Sequence, residues 1–237
     1  RPMHPLAETW EGSTHPVGES ISASGEYEGQ TLASVLHANP EFLGTHPRSL
    51  GFTTLPILVK LIDASKDLSI HVHPEDDYAI KYEHGQLGKT EMWYVLETSD
   101  AASLIYGFSH DVRKELVRNA LRENCFEKYL NRIPVKKNDV FFIEAGTVHG
   151  IGAGSLIAEV QENSNLTYRL YDYNRVDKHG DRRELHVEKA LDVANLNAID
   201  KPRQPIRVLK FKPGCASENL CRCKYFEVRR VLNNTEP

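Results

Sequence analysis

The chain has 237 residues, of which 40% are hydrophobic and 26% charged, with 15 glycines and 12 prolines. This composition excludes a disordered chain, a collagen and a disulfide-rich miniprotein, and the length allows one large domain or one domain and part of a second. The formal net charge is -4 without a run of lysine or arginine, which argues against nucleic acid as the main partner. No apolar stretch reaches the ~20 residues that a membrane-spanning helix needs.

The spacing of apolar residues predicts three helices. A short one is expected over the sequence LASVLH directly after Thr31, a longer one over residues 111–124 and a third from Arg183 onward. We interpret the region of about residues 109–130 as a small helical insertion in a chain otherwise rich in strands.

Short runs of β-branched and aromatic residues predict strands between residues 50 and 175. These runs are LPILVKLI from Leu55, LSIHVH from Leu68, EMWYVLE from Glu91, SLIYGF from Ser103, VFFIEA from Val140, SLIAEVQ from Ser155 and LTYRLYDY from Leu166. Helices do not alternate regularly with them, which favours a β-sandwich or barrel over a doubly wound parallel sheet. Residues 200–205 have the composition of a linker, and the segments IRVLKFKPG and KYFEVRRV beyond them predict new strands.

The cysteines cluster near the end of the chain. Cys215, Cys221 and Cys223 fall within nine residues, a spacing that fits no common zinc module. We interpret all four cysteines, including Cys125, as free thiols in a reducing compartment. A metal or redox pair at Cys221 and Cys223 is the alternative, although it lacks a fourth ligand.

Histidines form the most specific pattern in the chain. His71 and His73 stand two residues apart on a predicted strand, so both imidazoles face the same side of the sheet. The later run NDVFFIEAGTVH ends at His149 and matches the second half of the cupin pattern. Cupins surround one metal ion with two histidines of one strand, a nearby acid and this last histidine. The spacing leaves two acids open, Asp77 and Glu91.

Five longer motifs extend the comparison: DLSIHVHPEDDYA, LGKTEMWYVLE, FFIEAGTVHGIGAG, LIAEVQENSNLTYRLYDYNR and GDRRELHVEKALDV. In this order and spacing they resemble the short, bacterial-type mannose-6-phosphate isomerases of type I, also called phosphomannose isomerases, over about residues 7–230. The resemblance implies a mainly β, cupin-like jelly roll (double-stranded β-helix) for residues 1–202, which carries the metal site and the helical insertion. Residues 203–237 are then expected to begin a second, incomplete jelly roll.

The resemblance also selects the metal ligands. It implies one zinc ion held by His71, His73, Glu91 and His149. Glu91 is therefore preferred to Asp77, which we expect in a solvated loop. The family usually has glutamine where this chain has His71, and imidazole is a stronger ligand than an amide oxygen, so Fe²⁺ or Mn²⁺ are alternatives to Zn²⁺.

Moving a carbonyl group between C1 and C2 of a hexose phosphate requires a base, an electrophile and an anion site. The metal is the expected electrophile. Glu159 is the candidate base, because a carboxylate between apolar neighbours on a strand should have a raised pKa. The residues alone equally allow a salt bridge between Glu159 and Arg169, and the family position of Glu159 favours the base. The resemblance further implies catalytic roles for Arg169 and Lys89.

Substrate binding is expected to depend on cations. Lys60, Lys89 and Arg169 match family residues that line the pocket, and Lys60 lies in an otherwise apolar strand, where an unpaired ammonium group is costly. An anionic partner for Lys60 is therefore expected. Trp93 and Tyr94 are candidates for the sugar pocket, although aromatic residues on strands belong more often to the core.

Two further expectations concern the surroundings of Arg169. Asp172, Arg175 and Arg182 are expected to form structural ion pairs. Asn165 stands where family members often have aspartate, which puts the orientation of Arg169 by a carboxylate in question.

Together these features predict a cytoplasmic, zinc-dependent enzyme that interconverts mannose 6-phosphate and fructose 6-phosphate through a cis-enediol(ate). Two alternatives belong to other classes. A cupin metal-dependent oxygenase would use similar ligands but would not need the cations at Lys60, Lys89 and Arg169. A catalytically inactive sugar-phosphate-binding module would be compatible with the changes at His71 and Asn165.

Overall fold

Antiparallel β-structure dominates the computed structural model, which describes residues 7–201 and 207–233. The strands are Glu8–Gly12 (β1), Ile57–Ala64 (β2), Ile70–Val72 (β3), Glu91–Thr98 (β4), Ser103–Phe108 (β5), Leu130–Pro134 (β6), Val140–Ile143 (β7), His149–Ile151 (β8), Ser155–Glu162 (β9), Tyr168–Tyr171 (β10), Leu209–Lys212 (β11), Cys215–Arg222 (β12) and Glu227–Asn233 (β13). The helices are Leu32–Ala38 (α1), Thr45–Ser49 (α2), Asp76–Tyr82 (α3), Lys114–Arg122 (α4) and Val187–Val193 (α5). The predicted mainly β fold class is confirmed.

Two five-stranded antiparallel sheets form the body of the protein, in the orders β1-β2-β9-β4-β7 and β10-β3-β8-β5-β6. Apolar side chains of both sheets pack into one buried cluster, in which Trp93 and Phe141 of the first sheet meet Leu104 and Ile151 of the second. Alternation along each strand sends every second residue into the space between the sheets. The candidate site residues on β2, β4 and β9 therefore face those on β3, β8 and β10.

Helices cover the outer face of the second sheet. Ile70 and Val72 of β3 are fully buried and belong to one cluster with Val117 of α4 and with Ala190 and Leu191 of α5. Because Ile70 and Val72 face the helices, the residue between them on β3 faces the first sheet. The three predicted helices are all present, with bounds a few residues shorter than expected for α4 and α5.

A third antiparallel sheet, ordered β11-β12-β13, packs on the outer face of the first sheet. Its side chains Leu220, Cys221 and Phe226 form a buried cluster with Met92 and Val140. Strand β12 was not predicted, and the predicted linker and domain boundary fall largely on residues 202–206, outside the described residues. All four cysteines lie within the described residues and are free, as predicted.

Helix α3 was also missed, and with it the expected environment of Asp77. Asp77 was expected in a solvated loop, but it lies on the exposed first turn of α3. Asp76 and Asp77 in that turn interact favourably with the positive end of the helix dipole, and Ala79 supplies a small buried anchor. Among the described residues, no helix is long and apolar enough to cross a membrane.

Two neighbouring acids, the buried Glu162 and the partly exposed Asp76, join β9, α3 and the third sheet. Glu162 accepts a hydrogen bond from the backbone N–H of Thr90 at 2.8 Å, and Asp76 accepts one from the hydroxyl of Tyr225 at 3.0 Å. Burial, together with neighbouring Asp76, raises the pKa of Glu162 to about 8. The Glu162 carboxyl group is therefore mostly protonated at neutral pH.

Replacing Glu162 by glutamine is expected to stabilise the protein increasingly as the pH rises. The folded-state pKa of about 8 lies above the ordinary value of 4.5. The stabilising contribution of the proton is complete below pH 4.5 and is lost as the pH rises to about 8. At about 1.4 kcal/mol per pKa unit, the shift from 4.5 to about 8 corresponds to a difference on the order of 5 kcal/mol. Urea unfolding of the wild type and of Glu162→Gln at several pH values measures the difference in the free energy of unfolding. The exposed Glu97→Gln variant is the control. A stability difference that does not change with pH would contradict this prediction.

Candidate active site

A cavity of about 620 Å³ opens next to the inner faces of the two sheets. It receives side chains from strands that are far apart in the sequence, because the sheet order interleaves early and late strands. The candidate residues that line it are Lys60, His71, Lys89, Glu91, Trp93, Glu159, Asn165 and Arg169. His73 and His149 are almost fully buried and adjoin His71.

The three candidate histidines form one cluster. His71 and His149 are paired across β3 and β8, and their ring centroids are 4.4 Å apart. The ring of His73 lies 4.9 Å from that of His71 and 4.8 Å from that of His149. One ring nitrogen of each histidine lies within 4.8 Å of the other two. The geometry therefore allows all three imidazoles to bind one ion.

Backbone carbonyls fix two of these rings. The Nδ1 atom of His71 donates to the carbonyl oxygen of Ser69 at 2.8 Å, and that of His149 donates to Thr147 at 2.7 Å. Because a carbonyl can only accept, both rings carry their proton on Nδ1 and present an unprotonated Nε2. Burial lowers the pKa of all three histidines, that of His73 to about 3. All three are neutral at pH 7, which is the form that binds metals.

Glu91 supplies the acid of this cluster. One carboxylate oxygen lies 3.2 Å from Nε2 of His73, and the other lies 3.5 Å from Nε2 of His149. Burial alone would raise the pKa of Glu91, but the ammonium group of Lys89, 2.7 Å from its carboxylate, holds that pKa well below the usual range. The carboxylate is therefore ionised. Asp77, on the exposed turn of α3, does not line this cavity.

Within the residues that the structure describes, several buried polar atoms of the cluster have no hydrogen-bond partner. They are Nδ1 and Nε2 of His73, Oε2 of Glu91 and Nε2 of His149. Leaving buried polar atoms unpaired costs about 1–3 kcal/mol each, so such atoms need another partner. Imidazole nitrogens and a carboxylate oxygen are the donor set of zinc and other first-row divalent ions. The residues present therefore fit a divalent metal ion.

Glu159 lies beside this cluster on the inner face of β9. Its carboxylate accepts a hydrogen bond from the indole N–H of Trp93 at 2.8 Å and lies 3.3 Å from the ammonium group of Lys60. Burial and the charge of Glu91 raise its pKa, as predicted. The alternative salt bridge with Arg169 was wrong, because Lys60 is directly opposite Glu159 in the β2–β9 register and Arg169 lies on the other sheet.

Lys60 has the anionic partner that its apolar strand predicted. Besides Glu159, its ammonium group lies 3.9 Å from the carboxylate of Glu8 and 5.2 Å from the ring centre of Trp10. These acids raise the pKa of Lys60 although burial opposes them. The role of Glu8 as a partner of Lys60 was not predicted, since β1 is a five-residue edge strand with little hydrophobic alternation.

The two candidate aromatic residues point to opposite faces of β4. Trp93 faces the cavity, where its ring lies 5.3 Å from that of His149. Tyr94 does not line the cavity and packs instead against the buried cluster under the third sheet, which is the core position that the sequence left open for it. Its hydroxyl accepts a hydrogen bond from Arg230 of the third sheet at 2.8 Å. Alternation along the strand separates the two neighbours.

The ion pairs near Arg169 also differ from the prediction. Asp172 pairs with Arg175 and Arg183, and the exposed side chain of Arg182 is not part of this group. Both pairing arginines line the cavity together with Arg169. Of the Arg182–Arg183 doublet, Arg183 and not the predicted Arg182 pairs with Asp172, because the chain turns back in a tight hairpin whose register cannot be read from residue spacing.

Comparisons with known proteins agree with this geometry. The family described as phosphomannose isomerase type I, catalytic domain, matches residues 1–100. The probable mannose-6-phosphate isomerase GmuF of Bacillus subtilis (strain 168) is 42% identical over 204 residues, which cover 86% of this chain and 63% of GmuF. The mannose-6-phosphate isomerase ManA of the same organism is 37% identical over 227 residues, covering 96% of this chain and 70% of ManA.

A solved structure gives the same result. The crystal structure of the mannose 6-phosphate isomerase from Bacillus subtilis matches with a TM-score of 0.85 at 35% identity, over 94% of this chain and 69% of that chain. The chain thus spans less than two thirds of GmuF, at 63%, and about 70% of ManA. On its identity to ManA and to the crystal structure, and on the share of each that it covers, the chain belongs to the type I phosphomannose isomerase family.

Proposed function

We propose that this protein interconverts mannose 6-phosphate and fructose 6-phosphate. The observation that carries the proposal is the juxtaposition of three neutral imidazoles and the ionised Glu91 with Glu159, a buried carboxylate of raised pKa, in one cavity. Metal ligands beside a base are what an aldose-ketose isomerisation requires.

The ligands we assign are His71, His73, Glu91 and His149, with one Zn²⁺ per chain and with Fe²⁺ or Mn²⁺ as alternatives. The unpartnered atoms of the cluster support this assignment. A divalent ion bound there supplies Lewis-acid polarisation of sugar oxygens. Lys89, whose ammonium group lies 2.7 Å from the Glu91 carboxylate, keeps that carboxylate ionised and oriented.

Glu159 acts as the general base in this proposal. It takes the proton from C2 of the open-chain aldose, so that the electrons of that C–H bond form the C1–C2 double bond of a cis-enediol(ate) and the π electrons of the C1 carbonyl move to O1. The hydroxyl proton of O2 then passes to O1, and the same carboxyl group returns a proton to C1 as the C2 carbonyl of the ketose forms. The indole of Trp93 and the ammonium group of Lys60 hold the carboxylate in place. Because burial and Glu91 raise the pKa of Glu159, the acid limb of the pH profile should lie above the ordinary glutamate range.

Arg169 is assigned to the charge that develops on the enediolate. Its Nη1 atom donates to the carbonyl oxygen of Glu184 at 2.9 Å, which fixes the guanidinium group, and its buried Nε has no hydrogen-bond partner in the described structure. A fixed donor with an open hydrogen-bonding position can stabilise an oxyanion without reorganisation.

Replacing Arg169 by alanine is expected to lower kcat more than it raises KM, because an interaction that strengthens in the transition state affects the rate. Loss of a well-placed oxyanion donor costs on the order of 10²–10³ in kcat. Steady-state kinetics with mannose 6-phosphate measure the effect, and bound zinc is quantified in parallel. Lys89→Ala is the comparison, and there we expect reduced metal content as well. A pure KM effect in the arginine variant would reassign Arg169 to substrate binding.

The catalytic residues named here all lie within residues 1–202, which we propose as the catalytic domain. No described residue of the third sheet lines the cavity, which supports treating residues 203–237 as the beginning of a second β domain. The four free cysteines are compatible with a reducing compartment, and we propose the cytoplasm.

Conversion of mannose 6-phosphate by the zinc-loaded protein under argon tests the proposed function. Fructose 6-phosphate should form without oxygen, and chelation of the metal should stop its formation. Oxygen consumption in air without fructose 6-phosphate would indicate the oxygenase alternative. Binding of mannose 6-phosphate without any conversion would indicate an inactive binding module.

A further inference from the structure

The lysines of the cavity are not free to bind an anion. The ammonium group of Lys60 lies 3.3 Å from the Glu159 carboxylate, and that of Lys89 lies 2.7 Å from the Glu91 carboxylate. Both lysines are buried with their acids, so each positive charge is already matched. A phosphate group therefore requires other cations in the cavity.

Positive charge is in excess at another part of the cavity wall. Arg169, Arg175 and Arg183 all line the cavity, and the carboxylate that pairs with two of them is that of Asp172. Arg169 and Arg183 line the same cavity, and burial followed by the charge of Arg183 lowers the pKa of Arg169, so the two guanidinium groups repel each other. An anion bound at Arg183 would offset this repulsion and leave Arg169 to the enediolate.

The three arginines differ in the donors they have left. Arg175 uses all its nitrogens, because Nε donates to the Asp172 carbonyl, Nη1 to the Asp67 carbonyl and Nη2 to the Asp172 carboxylate. Arg183 uses Nε and Nη2 on the Asp172 carboxylate, and no bond of its Nη1 is found in the described structure. The Arg183 side chain is 52% exposed, so an anion can reach it.

The backbone also holds Arg183 near Arg169. The N–H of His186 donates to the carbonyl oxygen of Arg169 at 2.7 Å, and the N–H of Arg169 donates to Nδ1 of His186 at 3.2 Å. The Arg169 side chain adds a bond to the carbonyl of Glu184. The segment 183–186 is thereby fixed along β10, and Asp172 fixes the guanidinium group of Arg183 from the other side.

We propose that Arg183, positioned by Asp172, is the phosphate-binding residue of this protein and recognises the dianionic phosphate monoester of the sugar phosphate. The inference rests on the proposed function, since it sets the phosphate at Arg183 and leaves C1 and C2 to Glu159, Arg169 and the histidine cluster. A guanidinium group forms strong, directional hydrogen bonds with phosphate oxygens. Arg183 thus determines specificity for phosphorylated over unphosphorylated sugars.

Arg183→Ala tests this assignment against the matched control Arg182→Ala, whose side chain is exposed and outside the cavity. The KM for mannose 6-phosphate should rise about 10- to 100-fold in Arg183→Ala, which is the usual range for losing a charge-assisted hydrogen bond, with a much smaller change in kcat. Arg183→Lys should lie between the wild type and Arg183→Ala, and Arg182→Ala should match the wild type.

Binding of inorganic phosphate, measured by calorimetry without turnover, separates this inference from the proposed function. Weaker phosphate binding in Arg183→Ala than in Arg182→Ala supports the subsite even if the wild type were inactive as an isomerase. An active wild type whose KM and phosphate affinity are unchanged by Arg183→Ala would overturn it. A loss of kcat with unchanged KM and phosphate affinity would equally overturn it, by giving Arg183 a role in the chemical step.

Discussion

Replacing Glu91 by glutamine is expected to leave the protein largely without bound divalent metal and without isomerase activity. The two Glu91 oxygens lie 3.2 Å and 3.5 Å from Nε2 of His73 and His149, so the carboxylate is central to the cluster. An amide is neutral and binds a divalent ion more weakly than a carboxylate does. Since even outer partners of metal ligands change affinity by about 10- to 100-fold, the loss of a ligand should exceed that range.

Metal content after dialysis, determined by mass spectrometry, measures this effect, and Asp77→Asn is the matched control. Asp77 lies on the exposed turn of α3, so its variant should retain the metal and the activity. The reverse result, with metal retained in Glu91→Gln and lost in Asp77→Asn, would identify Asp77 as the acidic ligand, in agreement with the spacing common among cupins.

The Glu159→Gln variant is expected to lose on the order of 10²–10⁴ in kcat while its metal content stays normal. Glutamine keeps the shape of the side chain and its oxygen can still accept the hydrogen bond from Trp93. It cannot take a proton from carbon. The change should therefore affect the chemical step, and bound zinc should distinguish this variant from Glu91→Gln.

Glu8→Gln is the matched control, because it also removes a carboxylate near Lys60. Its longer distance to the ammonium group, 3.9 Å compared with 3.3 Å for Glu159, and its greater exposure lead us to expect a small effect on kcat. A near-normal kcat for Glu159→Gln would assign the proton transfer to another group of the cavity, such as Lys89.

Local sequence patterns predicted most of the strands and the faces of their side chains. Alternation along β3 places His71 and His73 on the inner face while Ile70 and Val72 pack under the helices. The polar Lys60 in an apolar strand correctly implied an anionic partner. These expectations hold because a strand's side-chain direction depends only on position along the strand.

Contacts between strands distant in the sequence could not be predicted in the same way. Lys60 meets Glu159 because β2 and β9 are neighbours, and no local pattern reveals that pairing. The choice of Arg183 over Arg182 depends on a hairpin register that shifts the partner of Asp172 by one residue. Short elements such as α3 and β1 were missed because they contain too few turns or alternations to show a period.

Anomalous X-ray diffraction at the zinc absorption edge, on crystals grown with zinc, tests the metal centre on which the mechanism depends. One strong peak per chain is expected, bonded by Nε2 of His71 and His149, a ring nitrogen of His73 and the carboxylate of Glu91. A peak at Asp77 or at Cys221 and Cys223, with none among the three histidines, would contradict it.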